Sequence, residues 1–99
     1  MAQHRCHIAA GIFRALAHPA RVRILELLSE QELCVCELAA ALNRRQAYVS
    51  QQLSVLRRAG LVVDRRHGLQ VFYRLRDRGL LDVLDAAAAL NTGLATAAA

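Results

Sequence analysis

A chain of 99 residues that is 56% hydrophobic, with one proline, no tryptophan and thirteen basic against eight acidic side chains, has room for one small ordered domain. That balance excludes a disordered or disulfide-framed chain, and no apolar run reaches the roughly 18 residues needed to cross a bilayer. A formal charge of +5 and a sequence pI near 10.1, carried entirely by arginine, point to a polyanionic partner, because clustered guanidinium groups neutralise phosphates and release counterions.

From Ile8 through Ile12, Phe13 and Leu16 the apolar residues repeat at helical spacing, predicting a first helix from about Arg5 to Ala17. His18-Pro19 breaks it, and Pro19 fits the first turn of a second helix whose buried face is Val22, Ile24, Leu25, Leu27 and Leu28. After the link Ser29-Glu30-Gln31, a short third helix is expected over Cys34 to Leu42, with Val35, Leu38, Ala39 and Leu42 inward. Asn43-Arg44-Arg45 is the compact turn of a helix-turn-helix, and the Asn43-x-x-Gln46 spacing can cap the fourth helix. That helix buries Val49, Leu53 and Leu56 and ends at Ala59-Gly60. A hairpin follows, with Leu61-Val62-Val63 entering, Gly68 turning and Val71-Phe72-Tyr73 returning, and Asp77 can cap a fifth helix containing Leu80, Leu81, Val83 and Leu84. The expected fold is mainly α with a small two-stranded β wing, a winged helix-turn-helix ordered α-α-α-α-β-β-α. Residues 1–90 form one domain for DNA binding and dimerisation through the first and last helices, and residues 91–99 form a flexible tail.

The fourth helix would present Gln46, Tyr48, Ser50, Gln51 and Gln52 outward, residue types that hydrogen-bond base edges or phosphate or pack a thymine methyl. Arg44 and Arg45 flank the helix start for phosphate contact, while Arg57 and Arg58 meet acidic side chains or solvent. The wing adds Arg65, Arg66, His67 and Gln70, a basic tip suited to the backbone or the minor groove; Tyr73 closes the sheet. The competing reading is a small helical domain with an ordinary solvated arginine face. No nucleophile, base and oxyanion arrangement suggests an enzyme.

Glu32-Leu33-Cys34-Val35-Cys36-Glu37 is the other unusual stretch. Thiols two residues apart point about 200° apart around an ideal helix, so one ion engages both only at a helix start or through local unwinding. A soft ion such as arsenite, antimonite, cadmium, lead or zinc prefers thiolates, and a helix N-terminus lowers thiol pKa. Cys6, beside His4 and His7, could complete the site across a dimer: three thiolates suit arsenite or lead, and an added imidazole suits cadmium or zinc. The alternatives are small packed hydrophobes and a reversible redox or sulfur-species sensor using the same cysteines. The first residues lack a signal-peptide pattern, so a cytoplasmic protein with reduced thiols is expected.

ALAHPARVRILELL at 15–28, ELCVCELAAAL at 32–42, QAYVSQQLSVLRRAGLV at 46–62 and RRHGLQVFYRL at 65–75 resemble the ArsR/SmtB family of metal- and metalloid-responsive repressors. The resemblance implies a homodimer on an inverted-repeat operator in double-stranded DNA, released by an inducer, with no cofactor needed for DNA binding. It also implies a third-helix thiolate site at Cys34 and Cys36 for As(III)/Sb(III) or Cd(II)/Pb(II). The chain departs from that pattern where Ala39 replaces a third thiol, leaving Cys6 as the remaining cysteine. The last helix also lacks the histidines of the family's separate zinc site. Arg45 stands where a small Ser or Thr is common, and Ala47-Tyr48 where Pro-Thr is common.

Overall fold

His18 and Pro19 separate the first two helices by local chemistry. α1 (Ala2–Leu16) stops short of His18, and α2 (Pro19–Leu28) opens on Pro19, whose missing N–H is not needed in a first turn. His18 is extended (φ −159°, ψ 119°) and its Nδ1 accepts the Ala20 amide at 3.2 Å, so the imidazole caps α2. The computed structural model describes the backbone of residues 2–98 and the side chains of residues 3–91. The flexible tail expected at 91–99 falls, beyond Asn91, outside the residues described in full.

α3 (Val35–Leu42) and α4 (Gln46–Arg58) form the helix-turn-helix. Asn43 ends α3 and does not begin α4. It sits in the left-handed region (φ 54°, ψ 47°), which a short polar side chain tolerates, and its amide and that of Arg44 return to Ala40 and Ala39. The N-cap of α4 is Arg45, which makes no side-chain cap bond. Gly60, at φ +79°, turns the chain out of α4.

β2 (Val62–His67) and β3 (Gln70–Leu75) pair antiparallel as far as His67 opposite Gln70, leaving Gly68-Leu69 as a two-residue turn. Gly68 has φ +63° and Leu69 does not share the positive φ, the pattern of a type II′ hairpin turn. The two strands of the wing are extended by one more from outside the hairpin. A third strand, β1 (Leu33–Cys34), adds to β3 with Leu33 opposite Tyr73 and Cys34 opposite Phe72, giving the order β1-β3-β2. Cys34 therefore ends a strand, and α3 starts one residue later than its apolar pattern predicts. α5 (Gly79–Ala98) follows Asp77, whose Oδ1 accepts the Gly79 amide at 2.7 Å.

The core lies where α2, α3 and α4 meet the root of the wing: Ile24 and Leu25, Leu38, Leu53 and Leu56, and Val62 are essentially fully buried. Gln52, expected on the outward face of α4, is buried. Its Oε1 accepts Arg21 Nε at 2.8 Å, and Arg21 also reaches the Ala15 carbonyl, so one guanidinium ties α1, α2 and α4 together. On the far side Phe13 and Val83 are exposed beside a groove of about 440 Å³ between α1, α2 and α5, lined also by Leu16, Val22 and Leu84. Among the described residues no helix is long and apolar enough to cross a membrane.

Leu53→Ala is expected to lower the free energy of unfolding by about 2–5 kcal/mol through a central cavity. Gly60→Ala should cost about 1–2 kcal/mol from the left-handed backbone alone, since the added Cβ meets only the flexible end of Arg76 at 3.2 Å. Urea midpoints of the two variants check both values.

Candidate nucleic-acid interface and thiol pair

Because Val49, Leu53 and Leu56 are wholly buried, the opposite side of α4 is turned outward with Gln46, Ser50 and Gln51 exposed. Arg44 lies with its Cζ 3.7 Å from the Tyr48 ring centroid, a cation–π contact that holds the guanidinium at the head of α4 while Tyr48 packs partly on the core. Arg45 is exposed beside it. At the other end of α4, Arg57 stands 3.8 Å from Asp64 on β2 and Arg58 reaches back to the Ser54 carbonyl, so Arg57 is the one that meets an acid. Removed from the helix, Arg66, His67 and Gln70 are exposed near the tip of the wing. Arg65 is drawn to the wing's base: its Nε donates to Glu32 Oε1 at 2.9 Å, its Nη2 pairs with the same oxygen, and its Cζ lies 5.3 Å from the Phe72 ring centroid. Burial, then the Asp64 carboxylate, raises the pKa of Tyr73, which keeps that half-buried phenol neutral as it closes the sheet.

The two thiols that lie on opposite sides of a regular helix are adjacent here. Cys34 is the N-cap of α3 with extended backbone (φ −87°, ψ 168°), its amide donating to Glu37 Oε1 at 3.0 Å. Cys36 is in the first turn, and the two Sγ atoms are 2.6 Å apart with both cysteines free. This is the helix-start geometry, reached without unwinding. Cys34 is 4% exposed and Cys36 is exposed. The expected lowering of thiol pKa is overturned for Cys34: burial first, then the hydrogen bond with the Cys36 thiol, pushes it up, and these outweigh the lowering contribution of the backbone at Glu37. The Glu37 carboxyl is in turn held below its ordinary range by the Cys34 amide. Metal–sulfur bonds of about 2.3 Å at a tetrahedral ion set sulfurs about 3.8 Å apart, about 1 Å wider than the separation of the Cys34 and Cys36 sulfurs.

His4, Cys6 and His7 are all exposed on α1. Among the described residues no three His, Cys, Asp or Glu side chains gather into an ion-holding group within one chain, so these three are not brought to the Cys34/Cys36 pair in the protomer. What does surround the pair is the outward face of the winged helix. A cleft of about 410 Å³ is lined by Cys34 and Cys36 on one side and by Gln46, Ser50, Leu69 and Gln70 on the others. A neighbouring cleft of about 550 Å³ has Cys36 facing Asn43, Arg44, Arg45 and Gln46. The roles of Glu32 and Arg21 escaped sequence reasoning, and Gln52 takes the opposite face to the one expected; the pairs they form span 33 and 31 positions, and no local pattern announces them.

Residues 18–63 match the profile described as bacterial regulatory protein, arsR family. The chain superposes on the crystal structure of Mycobacterium tuberculosis Rv0081 with a TM-score of 0.81 at 40% identity, covering 94% of this chain and 95% of that one. It also superposes on the homodimeric winged helix-turn-helix DNA-binding domain of Mb0332 from Mycobacterium bovis, described as a possible ArsR-family regulator (TM-score 0.81, 29% identity, 88% and 83% covered). It is 48% identical over 65 residues to the arsenical resistance operon repressor of Escherichia coli K12, covering 65% of this chain and 56% of that protein. The chain spans 56%, 64% and 61% of the lengths of three curated repressors it also matches. On its winged helix-turn-helix and on these likenesses, the chain belongs to the ArsR family of bacterial regulatory proteins.

Proposed function

We propose that this protein is a cytoplasmic, homodimeric transcriptional repressor that leaves an inverted-repeat operator when a thiophilic inducer bridges Cys34 and Cys36. The observation that carries this reading is the 2.6 Å approach of two free sulfurs at the head of the helix preceding α4. Arsenite or antimonite condenses with them, each thiol proton leaving with a hydroxyl of the inducer as water, so two M–S bonds replace two M–O bonds with no change of oxidation state. Cadmium or lead instead displaces both protons into solution. A third position is taken by hydroxide, or by Cys6, His4 or His7 of the partner subunit. No cofactor is required for DNA binding. Resemblance to an arsenical resistance repressor supports the metalloid class.

On the output side, Gln46, Tyr48, Ser50 and Gln51 read the major groove, while Arg44, Arg45, Arg66, His67 and Gln70 engage the backbone or the adjacent groove. Arg65 serves by holding the wing against Glu32. Dimerisation through α1 and α5 would cover exposed Phe13 and Val83, and the homodimeric neighbour supports it. The same sulfur proximity supports a second reading, in which the pair yields two electrons and two protons to an oxidant or polysulfide and closes as a disulfide.

In reduced protein, stoichiometric arsenite is expected to weaken operator binding roughly 5–150-fold, measured by fluorescence anisotropy. Cys34→Ser should keep DNA binding and lose that response; an unchanged response would remove the pair from the mechanism. Proton balance separates the inducer classes: cadmium capture releases thiol protons, so cadmium affinity should rise steeply as pH is raised, while arsenite affinity, whose capture releases water, stays nearly flat. If an oxidant is the signal, mass spectrometry should find a reductant-sensitive Cys34–Cys36 link in the inactive form. For the DNA face, Gln46→Ala is expected to cost about 1–3 kcal/mol at one base position. Arg66→Ala should weaken all sequences alike and lower the slope of log affinity against log salt by about 1.

A further inference from the structure

Cys36 is not behind the DNA-reading surface; it is part of it. Both clefts flanking Gln46 have Cys36 in their wall, one shared with Ser50 and Gln70 and the other with Arg44 and Arg45. Five of the nine side chains assigned to DNA thus border the space in front of one thiol. Cys34 is buried, so an inducer has to approach through Cys36. An α-helix with its side chains is about 10–12 Å across and the major groove about 12 Å wide, so α4 seated in the groove leaves little free space beside it. With α4 in the groove and the wing beside it, the sugar-phosphate strand bounding that groove would pass between them, over the cleft that Cys34 and Cys36 line with Gln46, Ser50 and Gln70.

We propose that operator DNA covers Cys36, so that operator and inducer occupy one surface in turn and the inducer captures the repressor only while it is off the DNA. This rests on the assignment of α4 and the wing to DNA and of the thiol pair to the inducer. Its consequence is kinetic. Derepression proceeds at the spontaneous rate of operator dissociation, and bound inducer then blocks return, both by filling the cleft and by displacing Cys36.

The test uses the full reduced chain and N-ethylmaleimide, with modification at each cysteine followed by mass spectrometry. A duplex from the chain's own promoter is compared with no DNA, and occupancy is read by anisotropy in the same samples. At saturating duplex, Cys36 alkylation is expected to slow at least tenfold while Cys6 on α1 reacts at its free rate. Equal Cys36 rates with the duplex bound would overturn the proposal. A stopped-flow arm adds arsenite to the preformed complex: a release rate that plateaus at the rate seen with excess unlabelled duplex supports it, and one that climbs with arsenite beyond that rate overturns it. Absence of duplex binding overturns it together with the DNA assignment. Retention of arsenite-induced release in a Cys34→Ser, Cys36→Ser double variant removes the thiol pair as inducer site, an outcome legible apart from the alkylation result.

Discussion

The pairing of β1 with β3 is the constraint on which the thiol chemistry depends. Two residues of backbone ladder, Leu33 opposite Tyr73 and Cys34 opposite Phe72, hold Cys34 extended where a helical backbone would rotate its side chain away from Cys36. The ladder also decides burial, because the strand presses Cys34 against the sheet and core while Cys36, already in the helix, faces out. Glu37 closes the junction by accepting the Cys34 amide, a donor that the start of α3 would otherwise leave unpaired. A two-residue strand thus produces a pair of unlike thiols in contact, one enclosed and one open.

The same ladder gives the thiol pair two lines of contact with the DNA face. One runs along α3 into the left-handed Asn43 and the head of α4, the path suggested by chain order alone. The other is direct: Phe72, opposite Cys34 on β3, is also opposite Arg65 on β2, whose guanidinium returns to Glu32 just before β1. Arg65 is about half exposed, and a pair of that kind is worth about 0–1 kcal/mol. The backbone ladder therefore carries the tie to the wing, and the ion pair only orients it. The Cys34 backbone is thus joined to the wing through β3 as directly as it is joined to α4 through α3.

Much of this architecture is written locally and could be read from the chain. Val49, Leu53 and Leu56 have helical spacing, Gly68 supplies the positive φ of the hairpin, and His18-Pro19 is a cap followed by a first-turn proline. What could not be read depends on partners distant in sequence. β1 is too short to show alternation, and the partners that make it a strand, Tyr73 and Phe72, lie about 40 positions further along the chain. Gln52 looks like its polar neighbours until Arg21 is placed against it, and Asn43 carries side-chain chemistry equally suited to starting one helix or ending another. The candidate site divides in the same way. The thiols and the outward face of α4 follow from composition and period, while their sharing of one surface follows from the packing of α3 against the head of α4 and from the wing lying beside both.

The unlike environments of the two thiols also bear on selectivity. A buried thiol with a raised pKa stays protonated near neutrality and is a poor nucleophile towards solutes that need a single sulfur. Cys36, exposed, makes the first bond in the proposed capture, and Cys34 then closes the chelate within the same complex. Its weak intrinsic reactivity is offset by proximity, since a sulfur held 2.6 Å away acts at an effective concentration far above that of any thiol in solution. A monofunctional electrophile gains nothing from this arrangement, because it uses only the outer thiol. A ligand with two exchangeable positions gains the second bond at little entropic cost, and only that second bond reaches the strand that joins the thiol pair to the wing.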